Sequence, residues 1–172
     1  MSKIRLRALE PGDLDFLSRI ENDKSLWHLS HTQQPFSKQL LAQYIQEADR
    51  DIYEAKQFRF AIEAAENQAL IGFIDLFDFD PKNRRAGVGI ILDEQYRKQG
   101  YGYAALTAVI DYAFKILFLH QLYANISIDN PASIRLFEEC GFIKTGCKKD
   151  WNFNGNEYVD ELLYQLLNNN QE

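Results

Sequence analysis

Residues 89–105, GIILDEQYRKQGYGYAA, take an apolar strand into a loop carrying Arg97, Gly100 and Gly102 and then into a helix. The pattern suits a pyrophosphate. Backbone N–H groups at a helix start lack intrahelical partners, and the helix dipole favours negative charge there. Two glycines let a phosphate approach the backbone without a Cβ in the way. A second set of residues has acid–base potential. Asp75 and Asp78 stand inside the apolar run 71–79, and Glu63 sits between Ile62 and Ala64. Carboxylates in such runs are costly to bury unless they pair or serve chemistry. Being three apart, Asp75 and Asp78 share a strand face only if a bulge intervenes. The alternative for each is a solvated strand end.

The elements that must position these groups alternate in type. Residues 4–9 read as a short strand, and Asp13, after Pro11-Gly12, is placed to cap a helix with a Leu14, Leu17, Ile20 stripe. Residues 27–36 form a polar and aromatic connection. Ser37 caps a second helix whose Leu40, Leu41, Tyr44, Ile45 and Ala48 make one apolar face. Strands follow at 58–64 and 70–79, joined by Glu66-Asn67-Gln68, and at 85–92. The glycine loop then opens a helix over 101–118, and 123–128 is the next strand. Asn130-Pro131 starts a short helix, Asn as cap and Pro at the first position, and Gly141 closes it. Residues 143–153 and 157–166 complete the chain as strands around Asn154-Gly155, a type I′ hairpin signal. The order β-α-α-β-β-β-α-β-α-β-β predicts a mixed-sheet α/β fold, a single domain over residues 1–172.

A dinucleotide fingerprint also fits Gly100-x-Gly102-x-x-Ala105. In that unit the first glycine comes almost directly off the strand, whereas residues 93–99 intervene here, and consecutive strands before the loop contradict alternating βαβ units.

The spacing Arg97-x-x-Gly100-x-Gly102, followed by the helix Asn130-Pro131-Ala132-Ser133-Ile134-Arg135-Leu136-Phe137-Glu138-Glu139-Cys140-Gly141-Phe142, resembles the GCN5-related N-acetyltransferases (GNAT) over essentially the full chain. The resemblance implies acetyl-CoA as cosubstrate. It places the pantetheine arm between two splayed strands, 89–92 and 123–128. The backbone of Ile90, Ile91 and Leu92 would contact it, with the oxyanion donor near Ile91. Arg97, Lys98, Gln99, Gly100, Tyr101, Gly102 and Tyr103 would hold the pyrophosphate. Asn130, Ser133 and Phe137 would flank the cofactor from the later helix. Many members carry a Tyr where this chain has Phe137, as acid for the departing sulfur. Three readings of Phe137 stand open: a core aromatic, spaced i+3 from Ile134; a thiolate that leaves unassisted, through water or with another hydroxyl (Tyr101, Tyr112 or Ser133); or a catalytically silent CoA-binding regulator.

Acetyl transfer to an amine needs a neutral nucleophile and an oxyanion pocket. An alkylamine, with a pKa of about 10, must lose a proton, whereas a thiol of about 8.5 leaves tolerably unaided. The base candidates are Asp78, Asp75 and Glu63. Within the superfamily the chain is similar to the spermidine and the ribosomal-protein N-terminal acetyltransferases, so a polyamine and a peptide N-terminus both stand as acceptors. Gln33-Gln34 and Gly87 occupy places where the spermidine group carries acidic residues. His28 and His31, in the 27–36 connection, are candidates to wall the acceptor site.

Composition sets the remaining bounds. The net charge of −6 weighs against nucleic acid, whose affinity comes from Lys and Arg, and modestly favours cationic ligands. Two cysteines and three histidines show no metal-ligand spacing, so no metal is expected. The N-terminal residues lack a signal-peptide core and no apolar run reaches eighteen residues, which points to the cytoplasm and away from membranes. Dimers are common in the superfamily, so a homo-oligomer is compatible with the resemblance, with no interface fixed.

Overall fold

In the computed structural model, which describes residues 3–169, a seven-stranded sheet runs through the chain in the order β1-β2-β3-β4-β5-β7-β6. The strands are β1 (Ile4–Arg7), β2 (Phe58–Ala64), β3 (Leu70–Asp80), β4 (Arg85–Leu92), β5 (Gln121–Ser127), β6 (Ile143–Phe153) and β7 (Tyr158–Leu167). The helices are α1 (Leu14–Glu21), α2 (Trp27–Ser30), α3 (Lys38–Glu47), α4 (Ile52–Ala55), α5 (Tyr101–Lys115) and α6 (Pro131–Glu139). Every pairing is antiparallel except β4 with β5.

Period-two alternation sends the two faces of the central strands to different cores. Phe60, Ile62, Ile74, Leu76 and Val88 pack with Ala105, Leu106 and Val109 of α5. Ala61 and Phe73 face the other way, onto Leu17 and Ile20 of α1 and Leu41 and Ile45 of α3. Each fully buried aliphatic side chain contributes about 1.5–3 kcal/mol, which makes these two layers the platform on which the site is built.

Several local expectations change. Residues 27–36 hold a one-turn helix, α2, ending at His31 in a left-handed conformation (φ 57°), and α4 adds another turn. Asp13 makes no side-chain cap to α1. Its carboxylate instead takes the Glu10 N–H at 2.8 Å and two Arg7 N–H groups at 2.8 and 2.9 Å. The last hairpin is not a two-residue type I′ turn. Residues 154–157 connect the strands, Gly155 alone has a positive φ (103°), and the Asn154 side chain accepts the N–H groups of Asn156 and Glu157. Ser37 and Asn130 do cap their helices, accepting from the Leu40 and Ser133 N–H groups.

Candidate active site

β4 and β5 are paired only at Arg85–Gln121, Ala86–Leu122 and Gly87–Tyr123. Beyond that vertex the strands run on unpaired to each other, although β3 holds the far edge of β4 as far as Leu92 and β7 holds β5 as far as Ser127. The parting leaves the N–H and C=O groups along one edge of residues 88–92 without a neighbouring strand. A cavity of about 460 Å³ opens there, lined by Val88, Gly89, Ile90 and Ile91 on one side and Ala124, Asn125, Ile126 and Ser127 on the other.

α6 closes one wall with Asn130, Ser133 and Phe137, which fall at i, i+3 and i+7. The Asn130 side-chain oxygen accepts the Ser133 N–H at 3.2 Å, so its carboxamide caps the helix. Phe137 is 2 % exposed, with Phe142 edge-on at 5.0 Å between ring centroids. It is both a core aromatic and part of the cavity lining. Among the alternative hydroxyls, Ser133 lines the cavity. Tyr101 donates to Glu66 at 2.8 Å and Tyr112 packs edge-on against Phe60, so both serve elsewhere.

The glycine loop continues from the end of β4, and Leu92 and residues 97–103 lie outside the cavity lining. A 3-10 turn, Glu94–Tyr96, follows Asp93, and Arg97 folds back so that its Nε donates to the Leu92 carbonyl at 3.0 Å. Gln99 donates to the Gln95 carbonyl at 2.6 Å, and Lys98 has a positive φ of 58°. Gly100, with φ 82°, is the residue from which α5 starts, and no side chain caps that start. The Ala104 N–H is bonded back to the Gly100 carbonyl at 3.1 Å, and the N–H groups before it in the first turn are those a helix leaves without an intrahelical acceptor. Tyr101 is anchored inward under Lys3, whose Nζ lies 4.5 Å from its ring, while Tyr103 is exposed. At Gly102 a Cβ would sit 3.3 Å from Leu136 and 3.5 Å from Leu92, so strand end, loop and α6 meet there.

The carboxylates separate. Asp75 lines the cavity, but both of its oxygens accept from Arg59, at 2.7 and 2.8 Å, and Arg59 reaches Glu21 as well. Desolvation opposes the charge on Arg59, yet the Asp75 carboxylate outweighs it and holds the guanidinium above its ordinary value. Asp78 stands outside the lining. It is exposed, has a φ of 48°, and occupies an irregularity in the β3–β4 register between Phe77 and Asp80. The Tyr123 hydroxyl donates to it at 3.4 Å. Glu63 also lies outside the lining, tied to Arg7 at 2.8 Å beside Asp13.

The sequence reading did not single out Glu21, Arg59 or Glu161, all of which line the cavity. Glu161 is 6 % exposed and accepts from Lys148 at 2.9 Å and Asn152 at 3.0 Å. Burial acts to raise its carboxyl, but those two donors and the charge of Lys148 leave it below the usual range. A detectable signal was Arg59 itself, a charge set into Phe58–Ala64 opposite Asp75. His28 and His31 line the cavity from α2 and its end. The lining thus carries three carboxylates against one guanidinium, beside a strand edge open to pairing and a helix start rich in unpaired donors.

Comparison with known proteins agrees with this arrangement. The family model for the acetyltransferase (GNAT) domain matches residues 3–143. The spermidine N(1)-acetyltransferase of Vibrio cholerae is 29% identical over 166 residues, 96% of this chain and 94% of that protein. The one from Escherichia coli K12 is 26% identical, over 83% of this chain and 74% of its own. A crystal structure of the Vibrio cholerae enzyme with CoA and spermine superposes with a TM-score of 0.86 at 29% identity, covering 97% of this chain and 96% of that one. A dodecameric structure of that enzyme gives 0.80 at 30% identity, covering 97% and 95%.

Proposed function

The chain belongs to the GNAT acetyltransferases and is an N-acetyltransferase with acetyl-CoA as cosubstrate, and we propose that its acceptor is a primary amine of a polyamine. The observation that carries the acceptor is the acidic cavity at the parted strands: Glu21, Asp75 and Glu161 against Arg59. A polyamine sheds hydration from several ammonium groups on binding, and partly buried carboxylates replace it. The relatives named for spermidine support the same reading.

In this proposal the pantetheine arm pairs with the free edge at Ile90 and Leu92, because the β3–β4 register and the Asp93 N–H bond to the Ile71 carbonyl turn the Ile91 N–H and C=O toward β3. The oxyanion donor is therefore a neighbouring N–H, of Ile90 or Leu92, rather than that of Ile91 itself. The backbone of Arg97, Lys98, Gln99, Gly100, Tyr101, Gly102 and Tyr103 receives the pyrophosphate, and Asn130, Ser133 and Phe137 flank the arm. Asp75, with both oxygens accepting from Arg59, orients that guanidinium, and the charge that holds the amine is the excess of Glu21, Asp75 and Glu161 over Arg59 and Lys148. Asp78 and Glu63 lie outside the lining, and in this proposal neither takes the amine's proton directly. That proton passes to solvent in the open cavity. The neutral nitrogen then attacks the thioester carbonyl, a C–N bond forms, the nitrogen gives up one further proton to solvent, and the C–S bond breaks with its electron pair leaving on the thiolate.

Incubation with acetyl-CoA and spermidine, spermine or basic peptides, while free thiol is followed, tests the assignment. Thiol release with polyamines is expected. Release with peptides alone would replace the polyamine by a peptide N-terminus, in keeping with Gln33, Gln34 and Gly87. CoA binding with no acceptor would make the chain a silent CoA-binding regulator. The proposal extends to a homo-oligomer, supported by the exposed Trp151, Phe153 and Tyr158 of the β6–β7 hairpin and by the dodecameric relative. The free thiols Cys140 and Cys147 support a reducing compartment such as the cytoplasm.

A further inference from the structure

The cavity face of β4 lacks side chains at two successive positions, and β3 sets an aromatic ring over them. Asp75 pairs with Gly89 and Phe77 with Gly87 in the β3–β4 register. A Cβ at Gly87 would lie 2.3 Å from Cε2 of Phe77, so the ring rests on the glycine backbone itself. A Cβ at Gly89 would lie 3.7 Å from Cε1 of the same ring, so its edge reaches the next glycine at contact distance. Tyr123 meets Phe77 edge-on, with centroids 6.0 Å apart and planes at 82°, and braces it from β5. Phe77, Gly89 and Asp75 all line the cavity, next to the point where β4 and β5 part.

We propose that Phe77 is a specificity-determining residue, forming with Gly89 a narrow slot that admits an unbranched aminoalkyl chain and rejects amines substituted at the adjoining carbon. Methylenes lie against the ring, whose face also attracts a cationic group. Asp75, the register partner of Gly89, marks the far side of the slot, two register pairs from Phe77 and Gly87. A substituent beside the nitrogen demands width that the ring edge and the glycine backbone leave no room for. The selection is by shape at Phe77, where the ring fills the space above Gly87. This inference rests on the polyamine reading and sharpens it, since an amino-acid N-terminus other than glycine is branched at that carbon.

Steady-state acetylation of 1,4-diaminobutane and of 2,5-diaminohexane, in which both amines are branched, tests it alongside spermidine. The wild-type chain should prefer the unbranched diamine by roughly 10- to 100-fold in kcat/KM, the range that one misplaced methyl group commands in a shaped pocket. Phe77→Ala should reduce that ratio to below about threefold, and Gly89→Ala should lower kcat/KM for both diamines by roughly tenfold. CoA titration of each variant, with affinity unchanged, verifies that the fold and donor site persist. An undiminished ratio in Phe77→Ala, or a wild-type chain indifferent to branching, overturns the role of Phe77 while the polyamine reading stands. Thiol release with none of the three amines overturns that reading instead.

Discussion

Arg59 and Asp75 make an interaction whose worth can be measured apart from catalysis. Their side chains are 18% and 28% exposed, and two N–H groups of one meet two oxygens of the other. Removing one partner from a fully buried pair costs about 3–5 kcal/mol because the other charge is stranded. Here residual exposure and the Glu21 contact relieve the stranded group, so we expect Asp75→Asn and Arg59→Met each to cost about 2–3 kcal/mol, above the value of an exposed pair. For a chain of this length that lowers Tm by about 4–12 °C. The double variant should be less damaged than the sum, with a coupling energy of about 1–2 kcal/mol. Urea unfolding of the wild type, both single variants and the double variant, read by circular dichroism at fixed pH, gives all four values. A coupling below about 0.5 kcal/mol would refute the view that Asp75 is held mainly by Arg59. Unchanged stability in Asp75→Asn, with turnover lost chiefly at low pH, would return Asp75 to the role of base.

Gly102→Asp should raise the acetyl-CoA KM by roughly tenfold or more with little change in kcat, by setting a like charge against the pyrophosphate seat; steady-state kinetics with varied acetyl-CoA checks this, and an unchanged KM counts against the seat. Phe137→Tyr should change kcat by less than about threefold across pH 7–9, since a thiol of about 8.5 leaves without an acid, and a gain near the 100-fold scale of general acid catalysis would show that the reaction lacks one. For acid stability, burial acts to raise the Asp13 carboxyl, but the Arg7 hydrogen bonds and the Glu10 N–H outweigh it and leave it below its ordinary value. A carboxyl lowered on folding stabilises above its unfolded pKa and loses that contribution as pH falls through the folded one. Urea midpoints should therefore fall below about pH 4, and Arg7→Met should flatten that decline.

The sequence was most legible where chemistry and periodicity coincide. The strands read at Phe58–Ala64, Arg85–Leu92 and Ile143–Phe153 have those limits in the fold, and the Asn130-Pro131 cap places α6. Single-turn helices such as α2 and α4 show no repeat for a period to reveal. The irregularity at Asp78 depends on how β3 pairs with β4, which spacing along one strand cannot encode. Arg59 and Asp75 are sixteen residues apart, and Glu21 is further still, so their meeting is a product of sheet register and of α1 crossing it. Gly87 enters the sequence reading only as a missing acidic residue and Gly89 only as the start of a splayed strand; that a ring rests on the first depends on how β3 pairs with β4.

The short contact between β4 and β5 has a mechanical meaning for the whole molecule. Three residue pairs join a four-stranded leaf, β1 to β4, to a three-stranded leaf, β5, β7 and β6, and below them the leaves are held by α5 rather than by each other. A ligand that hydrogen-bonds to the free edge at residues 88–92 acts as a suture between the leaves. Amide hydrogens of Ile90 and Leu92, which face the free edge, should then exchange more slowly when CoA is bound, and the unfolding midpoint should climb with CoA concentration as mass action requires. Donor capture and rigidity of the sheet become one event, and the acceptor meets a scaffold that its cosubstrate has finished assembling.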